Sequence, residues 1–327
     1  MKRTVHTPTS LLTCLLLAVL APGPVCSCSF VGKAPAPVPL ADVCSAILST
    51  RAGAFPLPSE ADVFVYDAKT GLLDAWQKVA PGGGRAQIRS TSGMRHAVVL
   101  SGFDTNTLTY DDILSYKSLI NVVQDIAHED PAHPVMSGEC TFNAGKGSVF
   151  GVELTPLLCR VRLDKLEVDF TGRPYAREEL TDIKVYLINV SGRCGILDKE
   201  ASPPTEIVNC GRYDPALTSL MAHPELLGGT FGTQGSTMYC YPCRGEEGVA
   251  GRPVTRLVVE GKIRGNTYYY PIDIAGGTVE RGISYNYSLR ITRTGGTDPD
   301  SPLKSGTVDI HLETDDWNEN EDQLEEY

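Results

Sequence analysis

The stretch Asp62-Val63-Phe64-Val65-Tyr66-Asp67, "DVFVYD", decides how the rest of the chain is read. Val63 and Val65 alternate with Phe64 and Tyr66, so an extended backbone sets one pair on each face. β-Branched and aromatic residues in alternation mark a strand buried on at least one face. The following "AKTG" (68–71) turns the chain into a second strand over 72–79. Outward from there the same signature recurs at "HAVVLSGF" (96–103), 149–154, 161–170, 183–190, 256–260, 268–274, 285–291 and 307–312. Within 161–170 the alternation slips at Asp164 and Lys165, as it does at a β-bulge. Short strands divided by turns, in a chain with 32 Gly and 22 Pro, predict a mostly β protein of two tandem β-sandwich domains.

One short helix is expected in the first domain. Thr109 is its N-cap, with Asp112 three residues on. Ile113, Tyr116, Ile120, Val123 and Ala127 follow at 3.6-residue spacing, and His128-Glu129-Asp130-Pro131 ends it. Gly172-Arg173-Pro174 marks the domain boundary, and 195–235 is Gly/Pro-rich and irregular.

The N-terminus reads as an export signal. Met1-Lys2-Arg3 is basic, "LLTCLLLAVLA" (11–21) is apolar but too short to span a bilayer, and Pro22-Gly23-Pro24 breaks it. Val25-Cys26-Ser27-Cys28 follows. A bacterial lipoprotein signal has a small residue directly before the modified Cys and an aliphatic residue three before it. Cys28 fits, with Ser27 and Val25 in those places; Cys26 fits poorly, because Val25 is bulky. The alternative is ordinary signal cleavage beside two unremarkable cysteines. The expected division is a lipoprotein signal peptide over 1–27, a lipid tether and first strand over 28–51, an N-terminal sandwich over 52–172, and a C-terminal sandwich with an acidic tail over 173–327.

The formal net charge of −11 argues against a nucleic-acid partner, since no excess of Lys and Arg displaces phosphate counterions. Acid is concentrated in "LETDDWNENEDQLEEY" (312–327). Of the ten cysteines, Cys14 and Cys26 leave with the signal and Cys28 takes lipid. Cys194 and Cys210 are spaced for a local disulfide, and several of the others suit buried free thiols. Cys240-Tyr-Pro-Cys243 has redox spacing without a βαβ setting, and a zinc site lacks a second close pair. There is no G-x-S-x-G, H-E-x-x-H or P-loop, and "HEDPAH" (128–133) reads as a solvated turn. Neither catalysis, nor a metal, nor a cofactor is expected.

Several phrases, in order, resemble the fimbrillin family of Bacteroidota, the subunits of type V pili. They are "VFVYDAKTG" (63–71), "PVMSGE" (134–139), "PLLCRVRLDKLEVDF" (156–170), "LTDIKVYLINVSG" (180–192), "TRLVVEG" and "TYYYPIDI" (255–274), "RGISYNYSLRITRTGGTDPDSP" (281–302) and the closing "VDIHLETDDWN" (308–318). The resemblance implies two transthyretin-like β-sandwich domains, export as a lipoprotein to the outer membrane, and assembly with other fimbrial subunits in a cell-surface fimbria. It also implies that, in stalk subunits, an arginine-specific protease cuts after an Arg downstream of the first strand. The lipid-bearing strand then leaves, and a C-terminal strand of another subunit takes its place.

Here "LSTRAGAF" (48–55) puts Arg51-Ala52 after the extended segment 39–48 and before the first domain strand, with Gly53, Pro56 and Pro58 favouring an exposed loop. Arg85, Arg89 and Arg95 are rival sites inside the first domain, where cutting frees no terminal strand. The candidate donor strand is 307–312, with Val308, Ile310 and Leu312 at period two. Its other reading is a last strand paired within its own domain. The acid after Trp317 favours a terminal, tip or accessory position. A second function remains open: a monomeric or anchor-type outer-membrane lipoprotein that binds glycan or another surface ligand, with Tyr239, Tyr241, Tyr268, Tyr269 and Tyr270 as its platform.

Overall fold

The computed structural model describes residues 42–50, 57–80, 84–214 and 226–317. The first half runs β1 (Asp42–Thr50), β2 (Ala61–Asp67), β3 (Leu73–Val79), β4 (Arg85–Ser90), β5 (Gly93–Ser101), α1 (Tyr110–Ile113), α2 (Tyr116–Leu119), β6 (Val123–Asp125), β7 (Met136–Ala144) and β8 (Val149–Pro156). Seven of these strands form one sheet in the order β3-β2-β5-β7-β8-β1-β4. Its outer strands meet. The Gln77 side chain on β3 donates Nε2–H to the Arg89 carbonyl of β4 at 3.0 Å and accepts the Arg89 N–H at 3.2 Å, in place of a backbone rung. Beside it Asp74 accepts from the Ser90 hydroxyl and the Thr91 N–H, each at 2.8 Å. A sheet whose outer strands are neighbours is closed on itself around its apolar side chains, and the Phe142 and Phe150 rings stack inside at 3.9 Å.

The strand that opened the reading is buried on both faces: Val63, Phe64, Val65 and Tyr66 are all inaccessible. The second face is covered by β3 and by the helical segment. Phe64 stacks on Trp76 with ring centroids 5.6 Å apart, and the Tyr66 hydroxyl donates to the Ile113 carbonyl at 3.2 Å. Asp62 accepts from Trp76 Nε1 at 2.9 Å and from the Thr105 hydroxyl at 3.0 Å.

The expected helix is two single turns. The Asp112 carboxylate accepts from the Thr109 N–H and hydroxyl at 2.8 and 2.6 Å, so α1 starts where the capping residues predict. It stops because Ser115 leaves to bridge with Leu72, and the Ser115 hydroxyl then caps α2 by accepting the Ser118 N–H at 3.1 Å. The helical spacing therefore fails beyond α2, and Ile120 and Val123 stay 41% and 51% exposed.

The second half runs β9 (Cys159–Val168), β10 (Thr181–Ile188), β11 (Val190–Ser191), β12 (Arg193–Gly195), β13 (Ile207–Val208), β14 (Gly228–Thr230), β15 (Ser236–Cys240), β16 (Cys243–Arg244), β17 (Arg256–Ile263), β18 (Asn266–Asp273), β19 (Thr278–Val279), β20 (Ile283–Ile291) and β21 (Val308–Asp316). It builds two four-stranded sheets, β14-β10-β17-β18 and β15-β9-β20-β21, with small pairs β11-β13 and β16-β19. The slip expected at Asp164 is present: the β20–β9 register steps from Tyr287↔Leu163 to Ser288↔Lys165. The boundary expected at 172–174 is not where the sheets divide. β9 pairs with β15 and β20, so 159–168 belongs to the second half, and Gly172-Arg173-Pro174 is a turn within it.

The halves are knitted together, and the described residues all belong to one compact unit. β12 pairs with β6 across the junction, and the Ser137 hydroxyl donates to the Ile196 carbonyl at 2.5 Å. β7 and β8 pair only at Met136↔Pro156 and Ser137↔Thr155. Where they part, the buried Arg281 guanidinium fills the gap. It donates to the carbonyls of Pro156, Ser137 and Asp198 at 2.9, 3.1 and 3.1 Å, to that of Thr155, and to the Ser137 hydroxyl at 2.9 Å. Gly138 lies at the same place because any Cβ there would meet the Glu153 carbonyl at 2.1 Å.

Glu129, buried beside this junction, accepts the Val135 N–H at 3.2 Å and the Tyr241 hydroxyl at 2.9 Å. Burial pushes its carboxyl up to about 7.

Two outcomes follow. Arg281→Ala strips donors from several buried carbonyls and should lower unfolding free energy by about 3 kcal/mol or more in denaturant titration; a loss below about 1 kcal/mol overturns the clamp. For Glu129, the folded state holds the proton more tightly than the unfolded chain. Its contribution is therefore fully present below the ordinary glutamate range and is lost as pH rises towards about 7. Relative to the native chain, Glu129→Gln should gain stability steadily between about pH 4.5 and 7 and no further above. A difference that stays flat across that window refutes it.

Candidate functional site

The site is the place of β1. This strand is the middle member of β8-β1-β4, parallel to β8 through Ser45↔Val149 to Thr50↔Leu154 and antiparallel to β4 through Asp42↔Ser90 to Ile47↔Arg85. Its alternation is strict. Cys44, Ala46 and Leu48 point into the core and are fully buried, while Val43 and Ile47 face out at 44% and 40% exposure. The walls on the core side are Ala86 and Ile88 of β4 and Phe150, Val152 and Leu154 of β8, all buried. Further rungs come from the loops: Ser45 N–H to the Ser148 carbonyl at 2.8 Å, and Leu48 N–H to the Gly84 carbonyl at 2.7 Å.

Without β1, β4 has no backbone-paired strand among the described residues, and β8 keeps only its two pairs with β7. The facing backbone groups of β4 and β8 would lose their partners, and an apolar slot would open between them. Chemically the arrangement can do one thing well, which is to hold an extended strand by main-chain bonds and alternate pockets.

Cys28, Arg51 and Ala52 lie outside the described residues. Arg85 and Arg89 sit in β4, paired with Ile47 and Val43, and Arg95 is buried with its guanidinium 2.5 Å from Asp67, so none of the three rivals lies on a free loop. Val308, Ile310 and Leu312 lie in β21, paired with Ile291, Leu289 and Tyr287 of β20. Val308 and Leu312 pack against the core, whereas Ile310 is 52% exposed, and the outer edge of β21 carries no strand among the described residues. The structure thus keeps β1 and β21 in different sheets. Beyond β21, buried Trp317 packs on Tyr239 at 5.3 Å.

Cys194 is buried and Cys210 exposed, and these two, like the other five cysteines among the described residues, stand as free thiols. The tyrosine platform is not formed either, because Tyr241 and Tyr270 are fully buried. Among the described residues no group of three or more His, Cys, Asp or Glu side chains is placed to hold a metal ion, and no helix is long and apolar enough to cross a membrane. Sequence reading missed β4, although "RAQIRS" (85–90) alternates; its arginines drew attention as cleavage sites instead.

Leu48→Ala should lower unfolding free energy by about 2–5 kcal/mol, and Ile47→Ala by less than about 1 kcal/mol, in denaturant titration. Equal losses at the two positions would overturn the assignment of which face fills the slot.

No protein-family model matches the chain, and no curated sequence matches it. Solved structures do. A candidate cell adhesion protein from Bacteroides eggerthii superposes with a TM-score of 0.63 at 16% identity, covering 86% of this chain and 97% of that one. Fimbrilin FimA from Porphyromonas gingivalis gives 0.64 at 15% identity, with 85% and 98% covered. The tip fimbrial protein Mfa3 from Porphyromonas gingivalis, truncated at its C-terminus, gives 0.55 at 15% identity, with 85% and 100% covered. By its architecture this chain has a fimbrillin-like fold.

Proposed function

We propose that this chain is a structural subunit of a cell-surface fimbria, contributing to adhesion and carrying no catalytic function. The observation that carries the reading is β1, a middle strand whose removal would open a slot, followed directly by the segment that contains Arg51-Ala52. The fold shared with a fimbrilin and a fimbrial tip protein supports it. In this reading residues 1–27 direct export, and Cys28 takes the lipid that tethers the precursor to the outer membrane. The two halves are the tandem transthyretin-like domains, divided near Leu157 and Leu158.

An arginine-specific protease cuts between Arg51 and Ala52, β1 leaves with the lipid, and the slot takes a strand from another subunit. The donor is β21. Its Val308, Ile310 and Leu312 repeat the period of Cys44, Ala46 and Leu48, and Val and Ile bury more apolar surface than Cys and Ala. The exposure of Ile310 supports a strand that does not satisfy all its side chains at home. The acid after Trp317 would have to stay outside the groove, which favours a tip or accessory position.

A second reading, a ligand-binding surface lipoprotein, rests on a hollow of about 470 Å³ on the β10-β17-β18 face. It is lined by Lys184, Arg212, Tyr213, Glu260 and Tyr269.

The test is intact mass and N-terminal sequencing of the protein from its native cell surface. A free start at Ala52, with heat-resistant ladders on electrophoresis, is the expected result. A lipid-blocked start at Cys28 without ladders, with saturable carbohydrate binding, would favour the second reading. A start at neither residue sinks both the lipid site and the cleavage site.

A further inference from the structure

We infer that Cys159 and Cys240 form a disulfide that joins β9 to β15. The two stand directly opposite in antiparallel register, where the end of β15 meets the start of β9. Directly opposed residues send their side chains to the same face with Cα atoms about 4.5 or 5.5 Å apart, and both spacings fall in the roughly 4.4–6.8 Å range a disulfide spans. Both side chains are fully buried, and the two thiols are within hydrogen-bonding reach of each other. Cys194 and Cys243 lie near the pair, but their register partners are Gln124 and Val279. Cys243 contacts the Thr255 hydroxyl at 2.9 Å and Cys194 the Gly195 carbonyl at 3.4 Å, while Cys44 and Cys140 are paired in register with Ile88 and Ala97.

The inference rests on export and not on the fimbrial reading. Once folded, the Cys159 thiol is raised well above its ordinary range by burial and is inert, so the bond forms during folding. The oxidant is a protein or small-molecule disulfide of the compartment that receives the chain. One cysteine thiolate attacks a sulfur of that disulfide, making a mixed disulfide and releasing the first thiol. The second thiolate attacks the cysteine sulfur of the mixed species, closing the bond between Cys159 and Cys240 and releasing the second thiol. Two electrons pass from the cysteines to the oxidant, and their two protons end on the released thiols. The bond closes a loop of about 80 residues and ties an outer strand to the first strand after the junction.

The full chain is recovered from an oxidising compartment or, separately, refolded from denaturant with oxidised glutathione. Free thiols are alkylated under denaturing conditions without reductant, and the proteolytic peptides are weighed before and after reduction. The expected result is one linked pair containing Cys159 and Cys240, two hydrogens lighter than its parts, lost on reduction and retained in Cys243→Ser. The oxidised chain should melt about 5–10 °C above the chain refolded under reductant. Alkylation of both cysteines before reduction in both preparations, or a bond from Cys240 to Cys243, overturns the inference. The peptide map is read on the native sequence, so a variant that fails to fold does not obscure it.

Discussion

The Arg281 guanidinium, lodged where β7 and β8 part, is the contact on which the rest of the architecture turns. Within the seven-stranded sheet the ladder between β7 and β8 is the shortest, and it stops after Ser137↔Thr155. Divergence leaves carbonyls facing a buried gap, and each such group without a donor costs about 1–3 kcal/mol. Arg281 brings a fixed fork of N–H donors from the second half of the chain and satisfies Ser137, Thr155 and Pro156 together. Neither half can complete its hydrogen bonding alone, which is why a chain with two sets of sheets behaves as one compact unit.

The same accounting of backbone groups explains why β1 matters more than its length suggests. It supplies rungs to a parallel neighbour on one side and an antiparallel neighbour on the other. The seam between β3 and β4 is made by the Gln77 and Asp74 side chains and not by a ladder. The layer that holds β1 therefore has no strong closure elsewhere, and its integrity depends on whichever strand lies in the middle.

Much of this was legible in residue order. Period-two stretches such as 62–67, 149–154 and 285–291 became strands, the slip at Asp164 became a register step, and Thr109 with Asp112 marked a helix start. What was not legible depended on partners distant in sequence. Ile113, Tyr116, Ile120 and Val123 have helical spacing, but the bridge from Ser115 to Leu72 breaks the helix, a contact 43 residues away along the chain. Gly172-Arg173-Pro174 looks like a linker, yet the chain crosses between halves at Leu157 and Leu158, which are fully buried and carry no turn signal. Arg281 is a buried cation whose role comes from carbonyls and a hydroxyl more than 80 residues away along the chain, so nothing adjacent to it announces it. For the site itself, the apolar alternation of β1 was visible as an extended segment. Its central position was not, because that depends on β4 and β8 closing around it.

The direction of β1 also sets how the molecule would bear tension. Its rungs to β4 and β8 lie crosswise to the strand, so a pull along the chain at Asp42 loads both ladders at once, in shear. β21 has rungs on one side only, and a sideways pull at Trp317 reaches Ile283↔Asp316 first and opens the ladder pair by pair. The two ends of the fold thus differ in mechanical character: one resists as a block, and the other peels.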